Sequence, residues 1–213
     1  MLRILFALAG FVLGEWAWQW ALWFTHRYER DGVPIAKWTL SGVLHVITVL
    51  LVGGISTYGS FTGGDRISLI VILVSSMLLV TIALVDLRVR RIPNVMVAVL
   101  VGWGLVRSLV TGQPSLWGWG LGLLVGGGVF LVITLVGRGA MGPGDVKLAA
   151  ALGALVGYPA VWGVLWVGIL AGGVVTLVLL LARRVGRKDY MAYGPYLAFG
   201  GWVILWVQCG GNL

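Results

Sequence analysis

An all-α, polytopic membrane protein of about eight transmembrane helices is the fold this sequence predicts, and three observations predict it. Of 213 residues, 60% are hydrophobic and only 10% charged, whereas soluble domains carry about a quarter charged residues. Mean hydropathy is +1.01. No polar segment is long enough to build a soluble domain beside the apolar runs.

The apolar segments fall at 3–25, 38–57, 67–86, 94–110, 117–137, 146–157, 159–182 and 191–209, against the roughly 20 residues a helix needs to cross a bilayer. The first is too long for a signal-peptide core and lacks a small-residue cleavage site, so it reads as a span. It holds Glu15 near its middle, and the second holds His45 at a similar depth. A hydrogen bond between them, joining two antiparallel helices, is the structural expectation, and a substrate-facing Glu15 the functional one. The third segment runs into Asp86, and Ile92-Pro93-Asn94 then starts the fourth, where proline's missing N–H costs nothing in a first turn. Gly142-Pro143-Gly144-Asp145 precedes the sixth, which is short and reads as tilted or continuous with its neighbour. Glycines there are expected to allow backbone angles and close approach denied to other residues. Gly194 and Pro195 are expected to break or kink the eighth helix. Gly118/Gly122, Gly153/Gly157 and Gly168/Gly172 are spaced for close helix packing. Trp16, Trp18 and Trp20 read as interfacial anchors.

Charge sets the orientation. With the amino terminus outside, the inner loops hold Arg27, Arg30, Lys37, Arg88, Arg90, Arg91, Arg138, Lys147, Arg183, Arg184, Arg187 and Lys188, and the outer side keeps Arg3, Arg66 and Arg107. Twelve against three satisfies the positive-inside rule. Both termini then lie outside, and Asp86 and Asp145 fall on the cytoplasmic side. The net charge of +8 is explained by topology and by attraction to anionic membrane lipid. No aromatic-interleaved basic face is present, so no nucleic-acid partner is expected.

Other chemistries are poorly supplied. Cys209 is the single cysteine and His26 and His45 the only histidines, so an internal disulfide is excluded and a Cys/His zinc site lacks ligands. No His-Glu-x-x-His or Gly-x-Ser-x-Gly is present. No metal and no cofactor is expected. Of the seven acids, Glu29, Asp31, Asp65 and Asp189 sit beside basic residues and read as solvated charges. Asp86 and Asp145 stand where apolar runs meet basic loops. A carboxylate at the edge of a hydrocarbon slab needs a reason, and two flanked by turn residues point to a pair assembled for chemistry.

Gly142-Pro143-Gly144-Asp145 fits the Gly-x-Gly-Asp signature of membrane aspartyl proteases. With Val146-Lys147-Leu148, Gly153 and Gly157 it resembles the type IV prepilin peptidases. Asp86 with Arg91-Ile92-Pro93-Asn94 resembles that family's first catalytic aspartate and its Ile-Pro-Asn. Tyr193-Gly194-Pro195-Tyr196-Leu197-Ala198 resembles its Phe-Gly-Pro-Phe-Leu-Ala. The three elements cover roughly residues 67–205. The resemblance implies a six-helix protease core at 61–213, following two helices and a short cytoplasmic loop at 1–60. It implies Asp86 and Asp145 as the catalytic dyad, with Pro93, Asn94, Gly142, Gly144, Lys147, Gly194 and Pro195 shaping the site. For Lys147 a lipid-phosphate or structural role is favoured over neutralising the dyad.

The implied substrate is a prepilin or pseudopilin precursor, a short basic leader ahead of a hydrophobic helix, cut at the cytoplasmic face of the cell's inner membrane. Bifunctional members carry a Cys-x-x-Cys insertion after the first span, associated with metal binding and amino-terminal methylation. The loop from His26 to Lys37 has no cysteine, so the peptidase is implied and the methyltransferase is not. Two rivals remain. A presenilin-like protease expects Tyr-Asp and Pro-Ala-Leu, where this chain has Val85-Asp86 and Gly-Pro-Tyr-Leu. A proton-coupled transporter would use Asp86, Asp145 and Glu15, yet transport carboxylates sit near the midplane between inverted repeats, and no repeat is detectable. The sequence carries no signal of oligomeric state.

Overall fold

A computed structural model of the chain describes residues 2–32, 48, 54, 66–137, 141–182 and 192–210. The described residues form seven helices and no strand: α1 (Leu2–Arg30), α2 (Arg66–Val89), α3 (Asn94–Thr111), α4 (Leu116–Val136), α5 (Pro143–Val156), α6 (Val161–Leu181) and α7 (Gly194–Gly210). Each matches an apolar segment of the sequence. Apart from residues 48 and 54, the segment at 38–57, with His45, lies outside the described residues, as do Lys37, Asp65, Arg138, Arg183, Arg184, Arg187, Lys188 and Asp189. Four helices, α2, α3, α4 and α6, are long and apolar enough to cross a membrane. The protein is a multi-pass membrane protein whose described residues are all-helical in their regular structure.

Helices α1 and α2 outrun their apolar segments at the carboxyl ends. Arg27, Glu29 and Arg30 are helical rather than in a loop, and α2 continues through Arg88 to Val89. Long basic side chains lay their stems along the helix and carry the charge outward, so the charge does not end it. Cations also suit a helix carboxyl end, where the macrodipole is negative.

The chain divides into two compact units, Met1–Arg91 with Leu205–Leu213, and Ile92–Ile204. In the first, α1 packs on α2, and the small residues Gly10, Gly14, Ala17 and Ala21 of α1 are buried. Thr81 Oγ1 reaches the Ala17 carbonyl at 3.4 Å. Trp16 and Trp20 stay exposed, as interfacial anchors require, but Trp18 does not: it is buried beneath the Arg88 guanidinium, 4.6 Å from its ring centroid. A cation over an indole face is attracted by the ring quadrupole, and this takes Trp18 out of the anchor set.

In the second unit α5 is the central helix. Only 14 residues long, it is buried along most of its length from Leu148 to Val156. On α4, a Cβ at Gly122 would collide with the Gly153 carbonyl, and one at Gly126 with the Ala149 carbonyl. Numbers rise on one helix as they fall on the other, so the two run antiparallel with their backbones in contact. On α3, Gly104 sits against Ala154 and Leu155, while Asn94 meets Lys147, so α3 and α5 run parallel. Helices α6 and α7 are antiparallel, with Gly168 on Leu197 and Gly200 on the Val164 carbonyl. Of the spaced pairs, Gly122, Gly153 and Gly168 therefore serve close helix packing, while Gly118 and Gly157 meet the loop at Pro114.

The connections are closed locally. Gly112, at φ 68, caps α3 by donating to the Ser108 carbonyl, a left-handed cap that glycine adopts freely. The Ser115 hydroxyl accepts the Gly118 N–H at 3.1 Å and caps α4. Arg107 had read as an outer surface cation. It is instead 4% exposed and donates to the Leu155 carbonyl at 2.7 Å, filling one of the acceptors that a helix end leaves open.

Backbone contact across α4 and α5 predicts a sharp contrast. Gly122→Ala should destabilise the protein by about 1–3 kcal/mol through overpacking. Gly128→Ala, whose Cβ would meet nothing within 4 Å, should be neutral or slightly stabilising. Thermal unfolding in detergent measures both.

Candidate active site

Asp145 owes its place to the way α5 begins. Gly142 is the residue before the first helical position, and Pro143 takes that position, where its ring angle suits a helix and no N–H is missed. Two residues on, the Asp145 carboxylate turns back and accepts the Gly142 N–H at 3.3 Å, one arm of a capping box. The glycines are not there for strain. Gly142 has φ −73, and a Cβ on Gly144 would rest 3.5 Å from Ile92 in ordinary contact. The expectation that these glycines hold backbone angles or approaches denied to other residues is therefore corrected.

Asp145 sits in the first turn, ahead of the apolar part of α5. Burial pushes its carboxyl above the ordinary aspartate value, and the Gly142 hydrogen bond pulls the other way more weakly. A carboxylate near a helix amino terminus is usually favoured as the anion; here desolvation prevails.

Asp86 occupies the last turn of α2 and is 4% exposed. Its backbone carbonyl accepts the Arg90 N–H at 2.8 Å, and Arg90 then turns out of the helix at φ 54. Of the neighbouring arginines, Arg88 is committed to Trp18 on α1. Asp86 belongs to the first unit and Asp145 to the second.

Within the second unit the two motifs do meet. Lys147 Nζ donates to Asn94 Oδ1 at 3.0 Å, and Gly144 lies beside Ile92. Ile92-Pro93-Asn94 and Gly142-Pro143-Gly144-Asp145 are thus held side by side, and the contact of Lys147 is structural. Pro93 is the cap of α3 rather than part of its first turn, with φ −63 and ψ 131. Gly194 and Pro195 open α7 instead of kinking it, a correction with a simple cause, since proline is accommodated in a first turn but not in a helix interior. Tyr193, just ahead of them, had carried no role. Burial first, and the charge of Asp145 second, push its phenol up to about 12.

Glu15 is half-buried in the middle of α1 and accepts from Gln19 Nε2 at 3.2 Å on its own helix; its expected partner His45 lies outside the described residues. Glu29 is exposed and pairs with His26 at 3.2 Å. Among the described residues, no three His, Cys, Asp or Glu side chains gather to hold a metal ion.

A family model described as the type IV leader peptidase family matches residues 72–181, a stretch that contains both aspartates. The chain belongs to the type IV leader peptidase family. It is similar to a prepilin leader peptidase/N-methyltransferase of Xanthomonas campestris pv. campestris, 34% identical over 137 residues covering 62% of this chain and 48% of that protein. It is 31% identical over 195 residues to the protein of the same name from Aeromonas hydrophila, covering 87% and 64%. The corresponding figures for Pseudomonas aeruginosa are 31% over 134 residues, covering 60% and 46%. The chain thus spans from about half to just under two-thirds of the length of these relatives. No solved structure matches it.

For this leader peptidase family member, the Lys147–Asn94 contact should appear as coupling. Lys147→Met and Asn94→Ala should each weaken the fold, and the double variant should lose less than their sum. The shortfall should be about 0.5–1 kcal/mol, as for an exposed hydrogen bond. A double-mutant cycle on thermal unfolding reads it.

Proposed function

We propose that this chain is a membrane aspartyl endopeptidase that removes the basic leader from type IV prepilin or pseudopilin precursors at the cytoplasmic face of the inner membrane. The observation that carries the reading is the placing of Asp145: a half-buried carboxylate in the first turn of α5, opened by Gly142-Pro143-Gly144, inside the stretch matched by the family. Family membership supports the peptidase, and the names of the relatives support a prepilin substrate.

In this reading Asp86 and Asp145 come together and share one proton, because two close carboxylates are not both cheaply charged. The ionised member takes a proton from water. The oxygen so activated attacks the scissile carbonyl carbon, and the protonated member gives its proton to the carbonyl oxygen. Collapse of the tetrahedral intermediate breaks the C–N bond as a proton passes to the leaving amine, and the dyad returns to its single-proton state. The apparent pKa values belong to the pair. Asn94 and Lys147, with Pro93, Gly142, Gly144, Gly194 and Pro195, shape the site around it.

The full membrane arrangement in this reading has eight spans, the segment at 38–57 being the second, both termini outside, and a six-helix core at 61–213 behind two amino-terminal helices. The substrate's hydrophobic helix lies in the bilayer and leaves its leader junction at the depth of the aspartates. Anionic lipid meets the basic inner loops. The cysteine-free loop after α1 supports peptidase action without methyl transfer.

Cleavage of a prepilin peptide by the purified chain in liposomes tests this directly. Asp86→Asn or Asp145→Asn should each lower turnover by at least roughly 10²–10⁴-fold, and turnover near the wild-type rate in either variant removes the dyad. Mass spectrometry of the product should show an amino terminus without a methyl group. The pH dependence has a definite sign. Because burial raises Asp145, its anion forms only at higher pH than an ordinary aspartate. Cleavage that uses this anion should fade as pH falls through the raised value, giving an acid limb above the ordinary aspartate range in a kcat/KM profile.

A further inference from the structure

Tyr193 stands directly ahead of α7, and the chemistry above makes no use of it. Its ring is seated on α6. A Cβ on Gly172 would come within 2.6 Å of Tyr193 Cε2, closer than real Cβ contacts, so glycine leaves the space the ring fills. The hydroxyl donates to the Gly168 carbonyl, one turn back along α6, at 3.4 Å. The ring also packs against Phe130 of α4, with centroids 6.1 Å apart, and edge-on against Tyr196 at 6.0 Å.

Two independent observations put this ring beside Asp145. The first is register. Gly122 faces Gly153 and Gly126 faces Ala149 across the antiparallel pair α4 and α5. One further turn along each helix brings Phe130, the partner of Tyr193, level with Asp145. The second is electrostatic, because the carboxylate's charge is felt at the phenol. Tyr193 therefore stays neutral beside it.

We infer that Tyr193 is a positioning residue for Asp145: seated by Gly172, its ring forms an uncharged aromatic wall beside the carboxylate, keeping water from that flank and holding Asp145 where turnover needs it. This role rests on the peptidase reading of Asp145. The hydroxyl is turned to the α6 backbone, so the ring rather than the O–H carries the effect.

The glycines of α6 supply a matched control. A Cβ on Gly172 strikes the Tyr193 ring, whereas a Cβ on Gly173 meets nothing within 4 Å. In liposomes with a prepilin peptide, Tyr193→Leu should lower kcat roughly 10- to 100-fold, the scale of a misplaced catalytic group, with KM changed by less than about threefold. Tyr193→Phe should stay within about threefold of wild type in both parameters. Gly172→Ala should lower kcat and Gly173→Ala should not. The double variant Gly172→Ala/Tyr193→Leu should be no worse than Tyr193→Leu alone, because both act through one ring.

A second readout needs no turnover. In protein labelled with 3-fluorotyrosine, the ¹⁹F resonance that disappears in Tyr193→Phe should move when Asp145→Asn removes the neighbouring charge. Wild-type kcat in Tyr193→Leu, equal kcat in the two glycine variants, or a resonance indifferent to Asp145→Asn would each overturn the role. If the wild-type chain cleaves nothing while the resonance still moves, the peptidase reading fails and the placing of Tyr193 against Asp145 stands.

Discussion

The contact of α4 and α5 through their backbones is the constraint on which the 92–204 unit depends. Lipid is as apolar as leucine, so apolar side chains gain little by meeting one another in a bilayer, and association rests on close packing. Gly122, Gly126 and Gly153 remove the side chains that would hold these helices apart. That closeness makes room for α5, whose 14 residues are fewer than a span requires. Its first turn, ahead of the buried stretch from Leu148, holds the half-buried Asp145 carboxylate. Burial there is what raises the Asp145 carboxyl above the ordinary aspartate value.

The two aspartates stand at helix ends of opposite polarity, which bears on the proton of the proposed dyad. Asp86 is at the carboxyl end of α2, where the macrodipole disfavours a negative charge, and Asp145 is at the amino end of α5, where it favours one. Taken alone, helix polarity makes Asp145 the anion. Burial opposes that choice at Asp145 and outweighs the hydrogen bond from Gly142. At Asp145, burial thus works against the preference that its helix end would give.

What was legible in the sequence was mostly local. The start of α5 could be read from Gly142-Pro143-Gly144-Asp145, because the preference of proline for a first turn is a property of one residue and its neighbours. Described helices could be located from apolar runs for the same reason. What escaped depends on partners distant along the chain. Arg107 looks like any loop cation until Leu155, 48 residues away, supplies a buried carbonyl for it. Trp18 belongs to a row of apparent anchors until Arg88 covers it. Tyr193 has no titrating role at its position, and only the missing side chain of Gly172 reveals that its ring has a seat. The spacing of Gly168 and Gly172 was visible, but not that one of them receives a tyrosine.

The polar contacts between α3 and α5 hold two motifs from separate parts of the sequence side by side. Lys147 binds Asn94 toward the amino ends of the pair, and Arg107 binds the Leu155 carbonyl toward the carboxyl ends. A parallel helix pair held only by apolar contact could slide along its axis at little cost, since one hydrocarbon contact replaces another. A hydrogen bond at each end resists that motion, for sliding would break the contact of the buried Arg107 guanidinium with the Leu155 carbonyl. Ile92-Pro93-Asn94 is thereby kept in register with the first turn of α5. The first turn of α5, with Asp145, is then held in register against α3 by these two polar contacts together with the close approach of Gly104 to Ala154 between them.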